Sequence, residues 1–289
     1  MSKFPRFVWI QGRVIPAPKA QVSVFDRGLL YGDGLFETVR SYRGRVFALE
    51  EHRARMLHSA RELGIPMPQL DWARGIARLL LANGLSTKDA AVRITLTRGP
   101  AAPGLLPPAK PRPTLFAFAL PVPASLDRQR RRGIAAVSVP FSRLPALASH
   151  KLLDYVPAIL ARKQAAKHNA QEALYVSEGE VLEATTANVF AVMEGALCTP
   201  PLRGALPGVT RQIVIQLANE AGIEVRETKL FLERVRTADE IFLTSSVAEI
   251  LPIVRLDENK VGSGQPGPLT RQLQQKYRQL VDQTFEIHR

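Results

Sequence analysis

Hydrophobic residues in the first third of the chain occur in short runs that are rich in β-branched and aromatic residues and are separated by glycines. Such runs are typical of strands. Two longer stretches place apolar residues three and four positions apart and are followed by Gly64 and Gly84, which predicts helices over Leu49–Leu63 and Asp71–Asn83. The predicted strands are Val8–Ile10, Gln21–Phe25, Leu35–Arg40, Ala91–Thr97 and Thr114–Ala119. Residues 1–119 are therefore predicted to form an α+β domain.

The pattern restarts after the proline-rich segment 120–125, which we interpret as an interdomain linker. Strand-like and helical stretches then alternate through residues 126–289, which predicts a second, larger domain. Its predicted strands are Ile134–Val139, Glu172–Val176, Asn188–Val192 and Glu240–Thr244, and its predicted helices cover about Leu152–His168 and Arg211–Ala221. In the first domain, Pro100–Pro113 predicts a long loop, and loops of that length are commonly functional or mobile.

The composition agrees with a packed globular protein of one or two domains, since 46% of the 289 residues are hydrophobic and 22% are charged. The single cysteine, Cys198, cannot pair within the chain and suits a reducing compartment. The first ten residues lack the organisation of a secretory signal, and no apolar run approaches the roughly 20 residues that cross a bilayer. We therefore expect a soluble, cytoplasmic protein without a membrane partner.

A formal net charge of +13 raises the question of nucleic-acid binding. The arginines are scattered, however, and the one dense run, Arg128–Arg132, has no aromatic residues interleaved with it. We interpret this run as a solvated turn and predict no nucleic-acid partner. A basic polyanion-binding protein without catalytic turnover remains the alternative from another class.

Common cofactor signatures are absent from the sequence. It contains no glycine-rich phosphate loop with a lysine, no Gly-x-Gly-x-x-Gly after a strand and no His-Glu-x-x-His. The five histidines and the single cysteine do not cluster, so we predict no metal site.

Several segments nevertheless carry suggestive chemistry. Lys151 precedes a helical stretch, and Glu183 lies among small residues just before a strand, where a partly desolvated carboxylate requires a cationic partner. Thr210 is a natural N-cap for the helix over Arg211–Ala221, whose first-turn amides favour phosphate. Thr244–Ser246, at the end of an apolar strand, offers hydroxyls and amides to the same kind of anion.

Together these segments resemble the class IV (fold-type IV) pyridoxal-phosphate-dependent aminotransferase family, which includes branched-chain aminotransferases, D-amino acid aminotransferases and aminodeoxychorismate lyases. The resemblance covers nearly the whole chain, from about residue 10 to residue 280. It implies a small N-terminal α/β domain and a larger C-terminal α/β domain with a barrel-like sheet. The motifs that carry it, in order, are Tyr31–Arg40, Glu51–Arg55, the Lys151 segment, Glu183–Phe190, Leu206–Arg211 and Ser245–Pro252.

The resemblance also implies roles for individual residues. Lys151 matches the lysine that holds pyridoxal 5'-phosphate and moves the substrate proton, and Glu183 matches the carboxylate that faces the pyridine nitrogen. Arg55 matches the arginine on the cofactor phosphate. The remaining implied cofactor contacts are Tyr155, Val209, Thr210, Ser245 and Ser246, and the implied substrate contacts are Tyr31, Phe36, Arg40 and Val247.

The motifs do not all favour the same member of the family. D-amino acid enzymes carry an Arg-x-His pair after Thr-Arg-Gly, and both residues are missing after Gly99. The last third of the chain is most similar to branched-chain aminotransferases, whereas Gly34–Val39 is more similar to the lyases and D-enzymes. We therefore expect an aminotransferase that exchanges an amino group between a branched-chain or D-amino acid and a 2-oxo acid. The alternative is an aminodeoxychorismate lyase that releases pyruvate and 4-aminobenzoate. A homodimer with each site near the other subunit is also implied.

Overall fold

The computed structural model describes residues 4–142 and 145–286. Contacts between Cα atoms divide the chain into two compact units. The first unit contains the described residues up to Val122 together with His150–Asp154, and the second contains Pro123–Ser149 and the chain from Tyr155 onward. The change of unit after Val122 lies within the segment 120–125 that we interpreted as a linker. The assignment of 150–154 to the first unit had no counterpart in the sequence pattern.

The first unit is built on one antiparallel sheet of six strands in the order β2-β1-β6-β5-β3-β4. Its strands are β1 (Phe7–Ile10), β2 (Arg13–Pro16), β3 (Gly34–Tyr42), β4 (Arg45–Val46), β5 (Ala90–Thr97) and β6 (Thr114–Pro121). Its helices are α1 (Arg27–Tyr31), α2 (Leu49–Glu62) and α3 (Trp72–Ala82), and Ala17–Lys19 forms a single 3-10 turn.

Helix α3 shows how the apolar pattern becomes packing. The Asp71 side chain caps the helix by accepting from the Arg74 N–H at 2.9 Å, and Ile76 and Leu79 are fully buried against the sheet. A Cβ at Gly75 would approach the Trp9 ring to 2.5 Å, so only glycine allows this helix to lie so close to β1.

The predicted strand over Gln21–Phe25 is wrong. Residues 20–25 are irregular, and Val24 and Phe25 are more than half exposed. The Phe25 N–H donates to the Ser23 hydroxyl at 3.1 Å, and the Asp26 N–H donates to the Ser23 carbonyl at 3.0 Å. These local hydrogen bonds close a turn, and such bonds compete with strand pairing.

The second unit is built on a curled half-barrel sheet of ten strands in the order β12-β11-β10-β14-β15-β7-β8-β9-β13, with β16 beside β15. These strands are β7 (Ile134–Pro140), β8 (Glu172–Ser177), β9 (Glu180–Ala184), β10 (Asn188–Met193), β11 (Ala196–Thr199), β12 (Val225–Glu227), β13 (Leu230–Phe231), β14 (Glu240–Ser245), β15 (Glu249–Leu256) and β16 (Asn259–Lys260). Its helices are α4 (Ser125–Arg132), α5 (Pro145–Ala148), α6 (Val156–Lys167), α7 (Val209–Glu220), α8 (Leu232–Arg236) and α9 (Pro268–Glu286). Strand β7 pairs in parallel with both β8 and β15, whereas β10 and β14 pair in antiparallel fashion.

The run Arg128–Arg132, which we interpreted as a solvated turn, lies in helix α4. Arg130 is only 7% exposed because its guanidinium pairs with Asp127 on the same helix and with Glu249 at the start of β15. Arg128, Arg131 and Arg132 are exposed. The mixed environment follows from helical geometry, which turns neighbouring side chains toward different sides.

None of the helices in the described ranges combines the length and the apolar character that a bilayer crossing requires.

Candidate active site

Backbone hydrogen bonds attach the segment that carries Lys151 to strand β3. The Phe36 N–H donates to the Lys151 carbonyl at 2.9 Å, and the Leu153 N–H donates to the Gly34 carbonyl at 3.2 Å. Leu35 and Leu152 form an isolated antiparallel bridge between these two bonds. The lysine is therefore carried on a short extended segment along β3, and the predicted helix that was to begin near Leu152 begins at Val156 instead.

His150 fixes the same segment to helix α2. Its buried ring meets the Ser59 hydroxyl at 3.0 Å through Nδ1 and the Glu62 carboxylate at 3.4 Å through Nε2. These contacts hold the backbone of Lys151 from the residue that precedes it.

The Lys151 side chain lies over an aromatic ring that a second cation shares. Its half-buried Nζ lies 4.6 Å from the centroid of Phe36, and the guanidinium carbon of Arg93 lies 3.6 Å from the same centroid. Phe36 was implied as a substrate contact, but Arg93 was missed. No signal in the sequence identifies it, because Arg93 reaches Phe36 only through the register in which β5 pairs Arg93 with Thr38, on the face of β3 that carries Phe36.

Arg55 forms a two-pronged ion pair with the fully buried carboxylate of Glu37, with Nε–Oε1 at 2.8 Å and Nη2–Oε2 at 2.7 Å. His52 adds a third contact to Glu37, at 2.7 Å from Nδ1. Burial raises the pKa of Glu37, but the charge of Arg55 and the hydrogen bonds from His52 and Arg55 outweigh it and lower the pKa to about 2. The carboxylate therefore stays ionised and sets the plane of the Arg55 guanidinium.

Arg40 lies further along the same strand. It is 3% exposed, pairs with Asp89 at 2.7 Å and stacks 4.5 Å from the Tyr42 ring centroid. It lies four positions after Phe36 on the same face, which corresponds to about 13 Å at about 3.3 Å per residue. The structure thus engages Arg40 with Asp89 and places Arg93, rather than Arg40, at Phe36.

Tyr31 holds the proline-rich loop. Its hydroxyl accepts from the Gly104 N–H at 3.0 Å, and Arg27 donates to the carbonyls of Gly104 at 2.7 Å and Leu105 at 3.0 Å. Arg27 and Arg98 both pair with Asp33 at 2.7 Å. Burial raises the pKa of Asp33, but the hydrogen bonds and charges of these two arginines outweigh it and hold the pKa below its usual value. The loop is therefore fastened to the Tyr31 segment at its middle.

In the second unit, Glu183 and Asn188 fix the segment that leads into helix α7. The Leu206 N–H donates to Oε2 of the half-buried Glu183 at 3.0 Å, and Asn188 Nδ2 donates to the Leu206 carbonyl at 2.8 Å. A Cβ at Gly208 would lie 2.0 Å from Asn188 Oδ1, so the close approach requires glycine.

The N-cap of helix α7 is Gly208, which has an extended backbone and no side chain to cap the first turn. The prediction that Thr210 is the N-cap is wrong, because Thr210 is the second helical residue and is buried. The first-turn amides, including those of Val209 and Thr210, are therefore not capped by the N-cap residue. A helix start of this kind suits a phosphate.

The turn after β14 lies at the same end of the sheet as Asn188, since β10 begins where β14 ends and Asn188 pairs with Thr244. Ser245 Oγ accepts from the Ala248 N–H at 3.3 Å, and Ser246 and Val247 are half-buried within the turn. The Thr244 hydroxyl is buried and has no hydrogen-bond partner among the described residues. Strands β9, β10 and β14 thus bring Glu183, the start of α7 and this turn together. Tyr155, the remaining implied contact, is half-buried at the N-cap position of α6.

The family model for amino-transferase class IV matches residues 34–256, a span that includes Lys151, Glu183, the start of α7 and the turn after β14. The chain belongs to the class IV aminotransferase family. The resemblance inferred from the sequence and the predicted α+β fold class are both confirmed.

Curated relatives of this class IV aminotransferase extend over nearly the whole chain. A putative branched-chain-amino-acid aminotransferase of Methanocaldococcus jannaschii is 39% identical over 280 residues, which cover 94% of this chain and 96% of the relative. A D-alanine aminotransferase of Staphylococcus epidermidis is 32% identical over 281 residues, which cover 95% of this chain and 97% of the relative. The predicted aminotransferase activity is confirmed, and neither relative supports the lyase alternative.

Solved structures of aminotransferases superpose on this chain. The branched-chain amino acid aminotransferase of Escherichia coli superposes with a TM-score of 0.85 at 31% identity, covering 96% of this chain and 94% of that chain. The T.th. branched-chain amino acid aminotransferase, complexed with N-(5'-phosphopyridoxyl)-L-glutamate, has a TM-score of 0.84 at 28% identity, covering 94% and 93%. The cofactor of the class IV aminotransferase is pyridoxal phosphate. The uncapped start of α7 and the orphaned Thr244 hydroxyl fit a phosphate, and a half-buried lysine fits covalent attachment.

Proposed function

We propose that this aminotransferase moves an amino group between a small apolar amino acid of the branched-chain type and an acidic 2-oxo acid. The observation that carries the proposal is the pair of cations, Lys151 and Arg93, on the ring of Phe36. Arg93 is placed to bind a second carboxylate on an acceptor whose reacting carbon lies near Lys151. The missing Arg-x-His pair after Gly99 and the 39% identical relative support the branched-chain type over the D-amino acid type.

Lys151 is proposed to hold the cofactor and to carry the proton that leaves and rejoins the substrate. Bound pyridoxal phosphate supplies an electron sink for the pair released at the substrate Cα. The chain's part is to keep the Lys151 amine in one place, and the contacts of His150, Phe36 and Leu153 support that role.

The phosphate is proposed to bind Arg55, the Val209 and Thr210 amides, Ser245 and Ser246. Arg55 is preoriented by Glu37, and the start of α7 lacks a side-chain cap. Glu183 is proposed to face the pyridine nitrogen and to keep it protonated, with the Leu206 amide holding its carboxylate in position. Tyr155 is proposed to donate to the ring hydroxyl, and Tyr31, Phe36 and Val247 are proposed to line the substrate pocket. Arg40 is instead proposed to have a structural role, because it pairs with Asp89.

A substrate panel tests this proposal. Purified holoenzyme is given L-leucine, L-valine or D-alanine with 2-oxoglutarate, and aminodeoxychorismate in a separate assay. We expect L-leucine and L-valine to react and aminodeoxychorismate to give no 4-aminobenzoate. A preference for D-alanine would favour the second candidate function, a D-amino acid aminotransferase, which the 32% identical relative supports.

A variant of Arg93 tests the proposed binding of the acidic 2-oxo acid. Arg93→Gln should raise KM for 2-oxoglutarate far more than KM for a monocarboxylic 2-oxo acid, and an equal rise for both would refute the role of Arg93.

A cytoplasmic homodimer completes the proposal. Val24, Phe25, Leu29, Leu105 and Leu106 are each more than half exposed. They lie on adjacent segments, because Arg27 binds the Leu105 carbonyl and the Ala101 N–H donates to the Phe25 carbonyl. Monomeric proteins rarely expose continuous apolar surface of this kind, which favours a second copy of the chain as its cover.

Light scattering after gel filtration tests the dimer. Replacing Leu105 and Leu106 with glutamate should convert a dimer into a monomer. Leu81→Glu, at a leucine on α3 that is also more than half exposed, should leave the dimer intact. A wild-type protein that elutes as a monomer would refute this part of the proposal.

A further inference from the structure

A basic cleft lies in the second unit, lined by residues of helices α4 and α9 and by the first residues of β15. Its volume is about 330 Å3. Four arginines line it, namely Arg130, Arg131, Arg271 and Arg278, with two carboxylates, Asp127 and Glu249. None of these residues belongs to the proposed cofactor or substrate contacts. The volume is at the lower end of the range of small-molecule pockets.

The two carboxylates are used by two of the arginines. Arg130 pairs with Asp127 and lies 3.4 Å from Glu249, and Arg278 lies 2.9 Å from Glu249. Arg131 and Arg271 make no ion pair with any residue of the described ranges 4–142 and 145–286. Four guanidinium groups against two carboxylates leave a net charge of +2 on the lining.

The wall of the cleft is preorganised. Arg130 is 7% exposed, Glu249 3% and Tyr277 2%. Gln274 Nε2 donates to the carbonyls of Arg130 at 3.1 Å and Ile250 at 2.9 Å, so it ties α9 to both α4 and β15. Glu249 adopts a left-handed backbone with φ of +60°, which a non-glycine residue rarely does, and its buried carboxylate pairs with both Arg130 and Arg278. An anion would therefore meet a fixed base beneath two exposed guanidiniums.

We propose that this cleft binds a small oligophosphate, such as diphosphate or the phosphate chain of a nucleotide. Arginine forks match phosphate oxygens in two-pronged hydrogen bonds, and two uncompensated forks select a ligand with at least two anionic groups. The occupant is held chiefly by Arg131 and Arg271, with Arg130 and Arg278 at the base.

Calorimetry on the holoenzyme with diphosphate and tripolyphosphate tests the proposal. The holoenzyme is used because its bound cofactor already occupies the proposed phosphate site at α7, and the visible absorbance of the cofactor reports that it stays bound. We expect saturable binding of one ligand per chain, with inorganic phosphate weaker than diphosphate.

The matched variants separate a site from general attraction to a protein of net charge +13. Replacing Arg131 and Arg271 with glutamine should weaken binding by about tenfold or more, because two charge-assisted contacts are lost. Replacing Arg128 and Arg132, two exposed arginines of α4 outside the lining, removes the same charge and should change affinity by less than about twofold. Equal weakening in both double variants, or no saturable binding by the wild type, would overturn the proposal.

Discussion

The two units present their proposed cofactor contacts in different ways. In the first unit the contacts are charged side chains, Lys151 and Arg55, and each is held by neighbours such as His150 and Glu37. In the second unit, side chains such as that of Glu183 are joined by the backbone amides at the start of α7, which are positioned by Asn188 and by the absence of a side chain at Gly208. A side-chain site is lost when its own residue changes, whereas a backbone site is lost when the supporting residue changes.

The largest expected effect is at Lys151. Lys151→Ala should lower kcat by on the order of a thousandfold or more and abolish the visible absorbance of bound cofactor, because no other residue is proposed to hold the cofactor covalently. Lys163→Ala, at an exposed lysine of α6, is the matched control and should retain full activity. An alanine variant that turns over at near the wild-type rate would remove the basis of the mechanism.

Glu183 and Arg55 should separate chemistry from cofactor retention. Glu183→Ala should lower kcat by roughly a hundredfold or more with a smaller change in cofactor affinity, since it removes the partner of the ring nitrogen and leaves the phosphate contacts in place. Arg55→Ala should release cofactor first, measured by dialysis and absorbance. Similar losses of both quantities in both variants would refute the division of roles.

Because the α7 contacts are backbone amides, Gly208→Ala should weaken cofactor binding although glycine has no reactive side chain. The new Cβ would lie 2.0 Å from Asn188 Oδ1, which forces the entry to α7 to shift. We expect cofactor affinity to fall by about tenfold or more, since strain of about 1–3 kcal/mol is typical of overpacking. Gly204→Ala meets only the flexible Leu182 side chain, at 3.1 Å, and should bind cofactor normally. If the two variants behave alike, Gly208 has no special part in the site.

The last expected effect concerns stability rather than activity, and it is a change of stability with pH at Glu37. Its pKa is lowered from 4.5 to about 2, so its contribution is present above about pH 4.5 and is lost as the pH falls through about 2. The shift corresponds to a contribution on the order of 3 kcal/mol. The free energy of unfolding in urea should therefore differ between the wild type and Glu37→Gln by a constant amount above pH 5, and by less as the pH falls below 4.5. A difference that grows on acidification would contradict the assigned pKa.

Strands and helices with clear periodicity were predictable from the sequence. The pattern over Leu49–Leu63 became α2, and Ala91–Thr97 became β5, because one face of each packs on a core. Gln21–Phe25 alternates apolar and polar residues as a strand does, but the Ser23 hydroxyl accepts a hydrogen bond from the Phe25 N–H and forms a turn. Local hydrogen bonds of this kind do not change the hydrophobic pattern, so the sequence does not reveal them.

Site residues were predictable where their type and their position in a motif indicate the chemistry, but not where their role depends on tertiary contacts. Lys151 and Glu183 were found because the motifs that contain them have the order and spacing of the class IV aminotransferases. Arg93 was missed because its proximity to Phe36 depends on the register between β3 and β5. The N-cap at Gly208 was missed because the need for glycine there comes from the close approach of the Asn188 side chain, twenty positions earlier in the sequence.

Residues 150–154 belong to the first unit although they follow the linker in the sequence, and this affects how chimeric enzymes can be designed. A chimera that joins the N-terminal part of one aminotransferase to the remainder of another at the linker would separate Lys151 from its own Phe36, and His150 from its own Ser59. The reactive amine would then rest on a foreign strand and a foreign helix. Functional exchange between relatives therefore requires moving a discontinuous cassette, in which five residues from mid-chain travel with the first 122.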